Sequence, residues 1–215
     1  MIFKTSTFTA VQSDGVIVKM RCPSCRQRGT FDTLQRHDVQ IVDSDKRTQA
    51  FGQRRCPDPL CHAHVFFVYD LTSHNIVTAY PAETIDFDSS GLPPLVLHAF
   101  KEAVVCHANN CFIAAAIMVR KTLEELCKDR GAVGKNLKEK ISDLRSKIIL
   151  PKELMDGLDD LRLLGNDAAH IESTEYENVG PDEVEISIEI TKEILKSVYQ
   201  YSELLGKLQQ LKKTT

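Results

Sequence analysis

No run of about 18 apolar residues, the length a membrane-crossing helix needs, occurs anywhere in the 215-residue chain. The opening stretch MIFKTSTFTA has no basic segment followed by an apolar core. No secretory signal is therefore expected, and the protein is expected in the cytoplasm. Also missing are a Gly-rich phosphate loop, a Gly-x-Ser-x-Gly elbow and a His-Glu-x-x-His helix, which removes the usual nucleotide-hydrolase, serine-hydrolase and zinc-protease readings. There is no internal repeat and no low-complexity tract. Glutamate is absent from residues 1–80, where ten Lys and Arg face seven Asp, and the rest of the chain has 17 basic against 23 acidic residues, so the halves carry +3 and −6 and sum to −3. A basic module joined to an acidic one directs any nucleic-acid contact to the first half.

What is present is enough for a core. A hydrophobic content of 42% with 27% charge places the chain among soluble globular proteins rather than disordered ones. Residues 1–80 hold short alternating or β-branched runs (TFTAV, GVIVKM, VQIVD, HVFFVYD, NIVTAY) broken by Gly, Pro, Asp and Ser, which is strand-and-turn punctuation. The segment 81–94, PAETIDFDSSGLPP, reads as a linker that ends at a helix start.

Beyond it the hydrophobic period changes from two to about 3.6. One helical face is expected from Leu95, Ala99, Ala103 and Cys106, and a second from Ile113, Ala116, Ile117, Leu123 and Leu126. A third comes from Leu137, Ile141 and Leu144, and a fourth from Leu154, Leu158, Leu161 and Leu164 between Pro151 and about His170. The last face carries Ile190, Ile194, Val198, Tyr201, Leu205 and Leu208. EVEISIEI alternates with period two, but Pro181 followed by Asp182 and Glu183 makes a good first helical turn, so helix is preferred there. The fold class expected is α+β, a small β-rich zinc-ribbon-like domain over 1–80 followed by an all-α bundle over 95–215.

Seven cysteines in a reducing compartment are thiols or metal ligands, and an odd count cannot pair completely. Cys22 and Cys25 (MRCPSC) with Cys56 and Cys61 (RRCPDPLC) form two knuckles that can face each other as a four-sulfur structural zinc site. Four residues separate the second pair. Pro57 and Pro59 stiffen that loop, and His62 and His64 follow as reserve ligands. Arg21, Arg26, Arg28, Arg54 and Arg55 surround the knuckles; they can grip RNA or DNA phosphates or be plain solvated surface. Cys106, Cys111 and Cys127 fall on apolar helical faces and read as core thiols.

The helical half has a polar stripe. Arg120 shares a side with the apolar residues of its helix and points inward, with Glu124 one turn on as its partner in a buried pair. In LRLLGNDAAH, Arg162, Asn166 and His170 follow one another at steps of four along one helix edge. Histidine can shuttle protons near neutral pH and arginine can stabilise a crowded phosphate, the minimum for metal-free RNA cleavage. The alternative is a hydrogen-bonded strut, with His170 at a helix C-terminus.

The run from about His98 to His170, with RKTLEELC and LRLLGNDAAH separated by LKEKISDL, resembles the family known as domain of unknown function 4145, helical modules found in bacteria alone or beside restriction and defence genes. That family is similar to the HEPN superfamily, whose bundles usually dimerise and include RNases of toxin and antiphage systems. The resemblance implies an arginine, commonly followed by Asn, Asp or His, and a histidine four to six intervening residues later. Asn166 and His170 match the later elements. Gly165 stands where the arginine is usual, and Arg162 lies seven intervening residues from His170.

The expected function is that of a defence-associated or regulatory protein that binds nucleic acid or a partner protein, with metal-independent RNase activity at Arg162, Asn166 and His170 supported by Arg120 and Glu124. The rival is a non-catalytic dimeric adaptor whose ribbon docks a protein. Either way a homodimer, a structural zinc ion and no membrane partner are expected.

Overall fold

A computed structural model of the protein describes residues 11–34, 37–42, 47–169 and 179–212. The chain divides into two compact units, residues 1–84 and 85–215.

The first unit is a β structure. Its main sheet contains β1 (Val11–Asp14), β4 (Asp32–Thr33), β5 (His37–Val42), β6 (Thr48–Arg55), β7 (His64–Asp70) and β8 (Asn75–Tyr80). The order is β1-β5-β6-β7-β8, antiparallel throughout, with β4 pairing β6 as well. A separate ribbon joins β2 (Lys19–Arg21) to β3 (Arg28–Thr30). The central strand, β6, had no expectation attached to it, because TQAFGQRR has neither alternation nor a β-branched run. Its place between β5 and β7 supplies what the local pattern lacks.

What holds β6 is a buried ion pair. Arg54 is fully buried and Asp38 on β5 is 1% exposed. Arg54 Nη1 donates to Asp38 Oδ1 (2.8 Å) and Nη2 to Oδ2 (2.5 Å), a bidentate fork. Both terminal nitrogens make a second bond, Nη2 to the Val16 carbonyl (2.8 Å) and Nη1 to the Gln53 carbonyl (3.0 Å), and the Val16 amide donates to Asp38 Oδ2 (2.7 Å), while Arg54 Nε is buried without a partner. The guanidinium carbon lies 4.6 Å from the centre of the Phe67 ring. Gly52 makes room for this arrangement, since a Cβ there would run into the Asp38 carboxylate and come within 2.9 Å of the Phe67 ring. Arg54 is therefore withdrawn from the basic surface expected around the knuckles.

The second unit is helical: α1 (Pro94–Ala108), α2 (Phe112–Asp129), α3 (Leu137–Leu144), α4 (Lys152–Ala169), α5 (Pro181–Leu195), a π-helical turn (Lys196–Gln200) and α6 (Tyr201–Lys212). Ile85, Phe87 and Leu92 pack against its core. Local signals mark several ends. Pro94 opens α1, and the Asn136 side chain caps α3 by accepting from the Glu139 amide (2.9 Å). The Glu183 carboxylate accepts from the Gly180 amide (3.1 Å) at the start of α5. The alternating run EVEISIEI is helix, as preferred. Val184, Ser187, Ile188 and Thr191 turn inward, and Ser187 and Thr191 satisfy their hydroxyls on carbonyls four residues back.

Three expected faces are rotated. In α1 Leu95 is exposed, and Val96, Ala99, Phe100, Ala103 and Val104 are buried. In α2 Ile113 and Ile117 are exposed, while Ala115, Ala116, Val119, Thr122, Leu123, Leu126 and Cys127 are buried. Helices that approach closely need small residues at the contact, so the alanines face in and the isoleucines face out. In the last stretch Ile194 and Val198 are buried, but Tyr201, Leu204, Leu205, Leu208 and Leu211 are exposed along α6. No described helix is long and apolar enough to cross a membrane.

Candidate functional site

Two places concentrate chemistry, one in each unit. In the β unit the ligand atoms of Cys22, Cys25, Cys56 and Cys61 all lie within 4.8 Å of one another. The pairs Cys22–Cys61 and Cys25–Cys56 have Sγ–Sγ separations of 3.7 Å. Each knuckle is built alike. The residue after its second cysteine, Arg26 in one and His62 in the other, takes a left-handed conformation (φ 65° and 52°). The Arg26 amide donates to the Cys22 carbonyl (3.0 Å) and the His62 amide to the Asp58 carbonyl (3.2 Å). The longer second loop is absorbed by Asp58, whose Oδ1 accepts from the Leu60 amide (2.8 Å), an Asx turn that the two prolines alone did not suggest.

The amide two residues beyond each cysteine serves its sulfur. Ser24 donates to Cys22 Sγ (3.4 Å), and the backbone of Gln27, Asp58 and Ala63 bonds the sulfurs of Cys25, Cys56 and Cys61. Burial pushes the Cys56 thiol up to about 12, whereas the Ala63 amide holds Cys61 down at about 7. A bound cation removes that mismatch by taking all four as thiolates, and the cluster can hold a metal ion. His62 and His64 are exposed and stand outside it, His64 Nδ1 pairing with the Gln53 amide nitrogen at 2.9 Å.

Among the neighbouring arginines, Arg21 lies 3.6 Å from Glu83 and Arg55 3.6 Å from Asp32. Arg26 donates to the Thr84 side chain and carbonyl. Arg28 is exposed on β3.

In the helical unit Arg120 lies between α2 and α4. Its Nη1 donates to the Arg162 carbonyl (3.2 Å) and its Nε is 3.6 Å from Glu124 Oε1. The Arg120–Glu124 pair expected from the sequence is present, but its side chains are 24% and 37% exposed, so it is not a buried pair. Arg162 Nε is 3.4 Å from Asp159 Oδ1, and Asp159 Oδ2 also accepts from Arg145 Nη2 at 3.0 Å. Asn166 is half-buried one turn beyond Arg162. His170 lies outside the described residues.

The residue that decides the stripe is Gly165. A Cβ on it would stand 2.5 Å from Arg120 Cβ and 3.1 Å from the Ala116 carbonyl oxygen. Both are fixed parts of α2, so no side chain fits without moving one helix from the other. The arginine that the family resemblance implies at this position has no space, and Arg120 fills the place from the opposite helix. In the sequence the glycine is a departure from the family pattern; the packing shows what it does.

The described cysteines outside the cluster differ among themselves. Cys127 is buried, and burial pushes its thiol up to about 11. Cys111, expected as a core thiol on a helical face, is exposed and precedes the first residue of α2. Helical periodicity does not apply at that position, because the residue stands before the helix.

The profile of Domain of unknown function (DUF4145) matches residues 101–214. The chain belongs to this family. No curated protein and no solved structure is matched. The DUF4145 segment takes in α2 to α6 and most of α1, hence the whole polar stripe, while the cysteine cluster lies outside it.

Replacing Gly165 by Ala in the DUF4145 segment sets two effects against each other. Helix propensity favours alanine by about 1 kcal/mol; overpacking opposes it by about 1–3 kcal/mol. With the contact at a Cβ rather than a flexible side-chain end, overpacking wins, and a lower melting temperature than wild type is expected by calorimetry. Glu124→Ala, which breaks a half-exposed pair within one helix, is expected to cost only about 0.3–0.5 kcal/mol in the same measurement.

Proposed function

We propose that this protein is a non-catalytic adaptor, a zinc-stapled β module joined to a HEPN-like helical domain that self-associates, working in the bacterial defence or regulatory setting its family resemblance implies. The observation that carries it is the seat of Gly165 against Arg120. In this reading Arg120 braces α2 against α4 through the Arg162 carbonyl. Arg162 faces Asp159, and Arg120 faces Glu124 and the Arg162 carbonyl, so both arginines of the stripe are engaged within the protein. With labelled RNA in EDTA the wild-type chain is expected to give no cleavage above a protein-free control. Cleavage that His170→Ala removes would overturn the adaptor reading.

Zinc suits the cysteine cluster. With Zn–S bonds of about 2.3 Å, the edges of a four-sulfur tetrahedron are about 3.8 Å, close to the 3.7 Å of the two sulfur pairs. Amide donors at all four sulfurs offset the charge of a tetrathiolate, and four protein ligands leave no position for water, so the ion stabilises and does not catalyse. Metal analysis of protein purified without added zinc should give about one equivalent per chain. Each of Cys22→Ser, Cys25→Ser, Cys56→Ser and Cys61→Ser should lose most of it; full retention in any of them would remove that residue from the site.

A protein partner suits the β module better than nucleic acid does. Arg54 is buried and Arg21 and Arg55 face carboxylates, whereas Phe66 and Tyr80, paired across β7 and β8, are 55% and 72% exposed. They line a groove of about 390 Å³ with Phe51, Val68, Thr78 and Ala79. Self-association draws support from the exposed row Tyr201, Leu204, Leu205, Leu208 and Leu211, which pairing with a second copy would cover. Light scattering should report a dimer for the full chain and a monomer for the double variant Leu205→Glu with Leu208→Glu. A monomeric wild type at high micromolar concentration would exclude self-association.

A further inference from the structure

The turn between α1 and α2 carries a feature that neither the metal cluster nor the polar stripe uses. Helix α1 ends with Asn109 as its C-cap, and Asn110 follows at φ 59° in the left-handed region. The Cys111 amide donates to the Cys106 carbonyl (2.9 Å) and the Asn110 amide to the His107 carbonyl (2.9 Å). These are the two bonds of a Schellman motif. In that motif the side chain of the residue after the left-handed position meets the side chain five residues earlier, normally in an apolar contact. Here both positions are cysteine.

The two thiols are unequally placed. Cys106 is half-buried against the helical core, whereas Cys111 is exposed, its Sγ 3.6 Å from the Asn109 carbonyl oxygen within the same turn. We propose that Cys106 and Cys111 are a reversible redox pair, oxidised by a peroxide to a disulfide that closes the α1–α2 turn. Cys111, within reach of solvent, reacts first: its sulfur bonds to one peroxide oxygen, the O–O bond breaks, and the other oxygen leaves as water, giving a sulfenic acid. The Cys106 sulfur then attacks the Cys111 sulfur. The S–S bond forms, the S–O bond breaks, and the hydroxyl leaves with the remaining thiol proton as a second water. Two thiols are oxidised by two electrons and one peroxide is reduced to two waters; a dithiol reverses the change.

Burial pushes the Cys106 thiol up, and neighbouring Cys111 adds to the rise, in keeping with a protected resolving partner beside an accessible one. Cys111 also lines a shallow cavity of about 510 Å³ with Phe112, Ile113, Ala114 and Ile117 on the exposed start of α2. Oxidation therefore alters one wall of a surface apolar site.

The test uses the full chain and reads this pair apart from the metal ligands. Trypsin cuts after Lys101 and Arg120, so residues 102–120 form one peptide that contains Cys106 and Cys111 and no other cysteine. After brief treatment with a few equivalents of hydrogen peroxide, alkylation of free thiols and digestion, that peptide should appear unalkylated and about 2 Da lighter than its dithiol form. Dithiothreitol should restore double alkylation. In Cys106→Ser, Cys111 should instead be trapped by dimedone as a sulfenic acid. A wild-type peptide that still takes two alkyl groups after peroxide would overturn the proposal, as would one that accumulates sulfinic acid at Cys111 while Cys106 remains alkylatable.

Discussion

The helical unit is organised by how closely α2 and α4 approach at Gly165. A glycine in the middle of a helix gives up about 1 kcal/mol of propensity relative to alanine, so its presence there calls for a packing reason. The reason is Arg120, whose Cβ and Cδ occupy the space a side chain on α4 would need. From that seat Arg120 reaches the carbonyl of Arg162, whose side chain faces Asp159, and Asp159 in turn pairs with Arg145. A chain of polar contacts thus runs along the α2–α4 seam into the end of α3. The same close approach turns Ala115 and Ala116 inward and sends Ile113 and Ile117 outward.

The β unit follows a different rule, since its described apolar cluster is small. Its main buried cluster is Val18, Met20, Cys22, Phe31, Cys56, Val65 and Phe67, so two of the four clustered cysteines are themselves core residues. The Asp38–Arg54 pair lies beside this cluster. Breaking one partner of such a pair leaves an uncompensated charge, typically about 3–5 kcal/mol, and the two carbonyls and one amide that join it lower the desolvation cost of keeping it. The buried ion pair and the metal-ready sulfur cluster, both beside these residues, add to a small apolar area.

The two units divide the chemistry between them. The cysteine cluster lies outside the DUF4145 match, and the stripe lies within it. The stripe's arginines meet a backbone carbonyl and carboxylates of their own unit. Exposed apolar side chains stand apart from both: Phe66 and Tyr80 on the sheet, Ile113 and Ile117 at the start of α2, and the leucines of α6.

Chain order and chemistry were legible in the residues themselves. The paired knuckles marked Cys22, Cys25, Cys56 and Cys61, because ligand spacing is a local property of two turns. The change of hydrophobic period announced a β-rich part before a helical one, and Pro181 with two acids made a helix of an alternating run. Tertiary structure decided the rest. It chose which face of α2 is buried, because interhelical distance favours small residues over large ones and periodicity scores only size and polarity. It also took Arg54 out of a presumed basic surface, since its partner Asp38 is 16 residues away and no local pattern links them. Likewise it gave Gly165 its meaning, because a missing side chain is interpretable only once the atoms that fill its place are known.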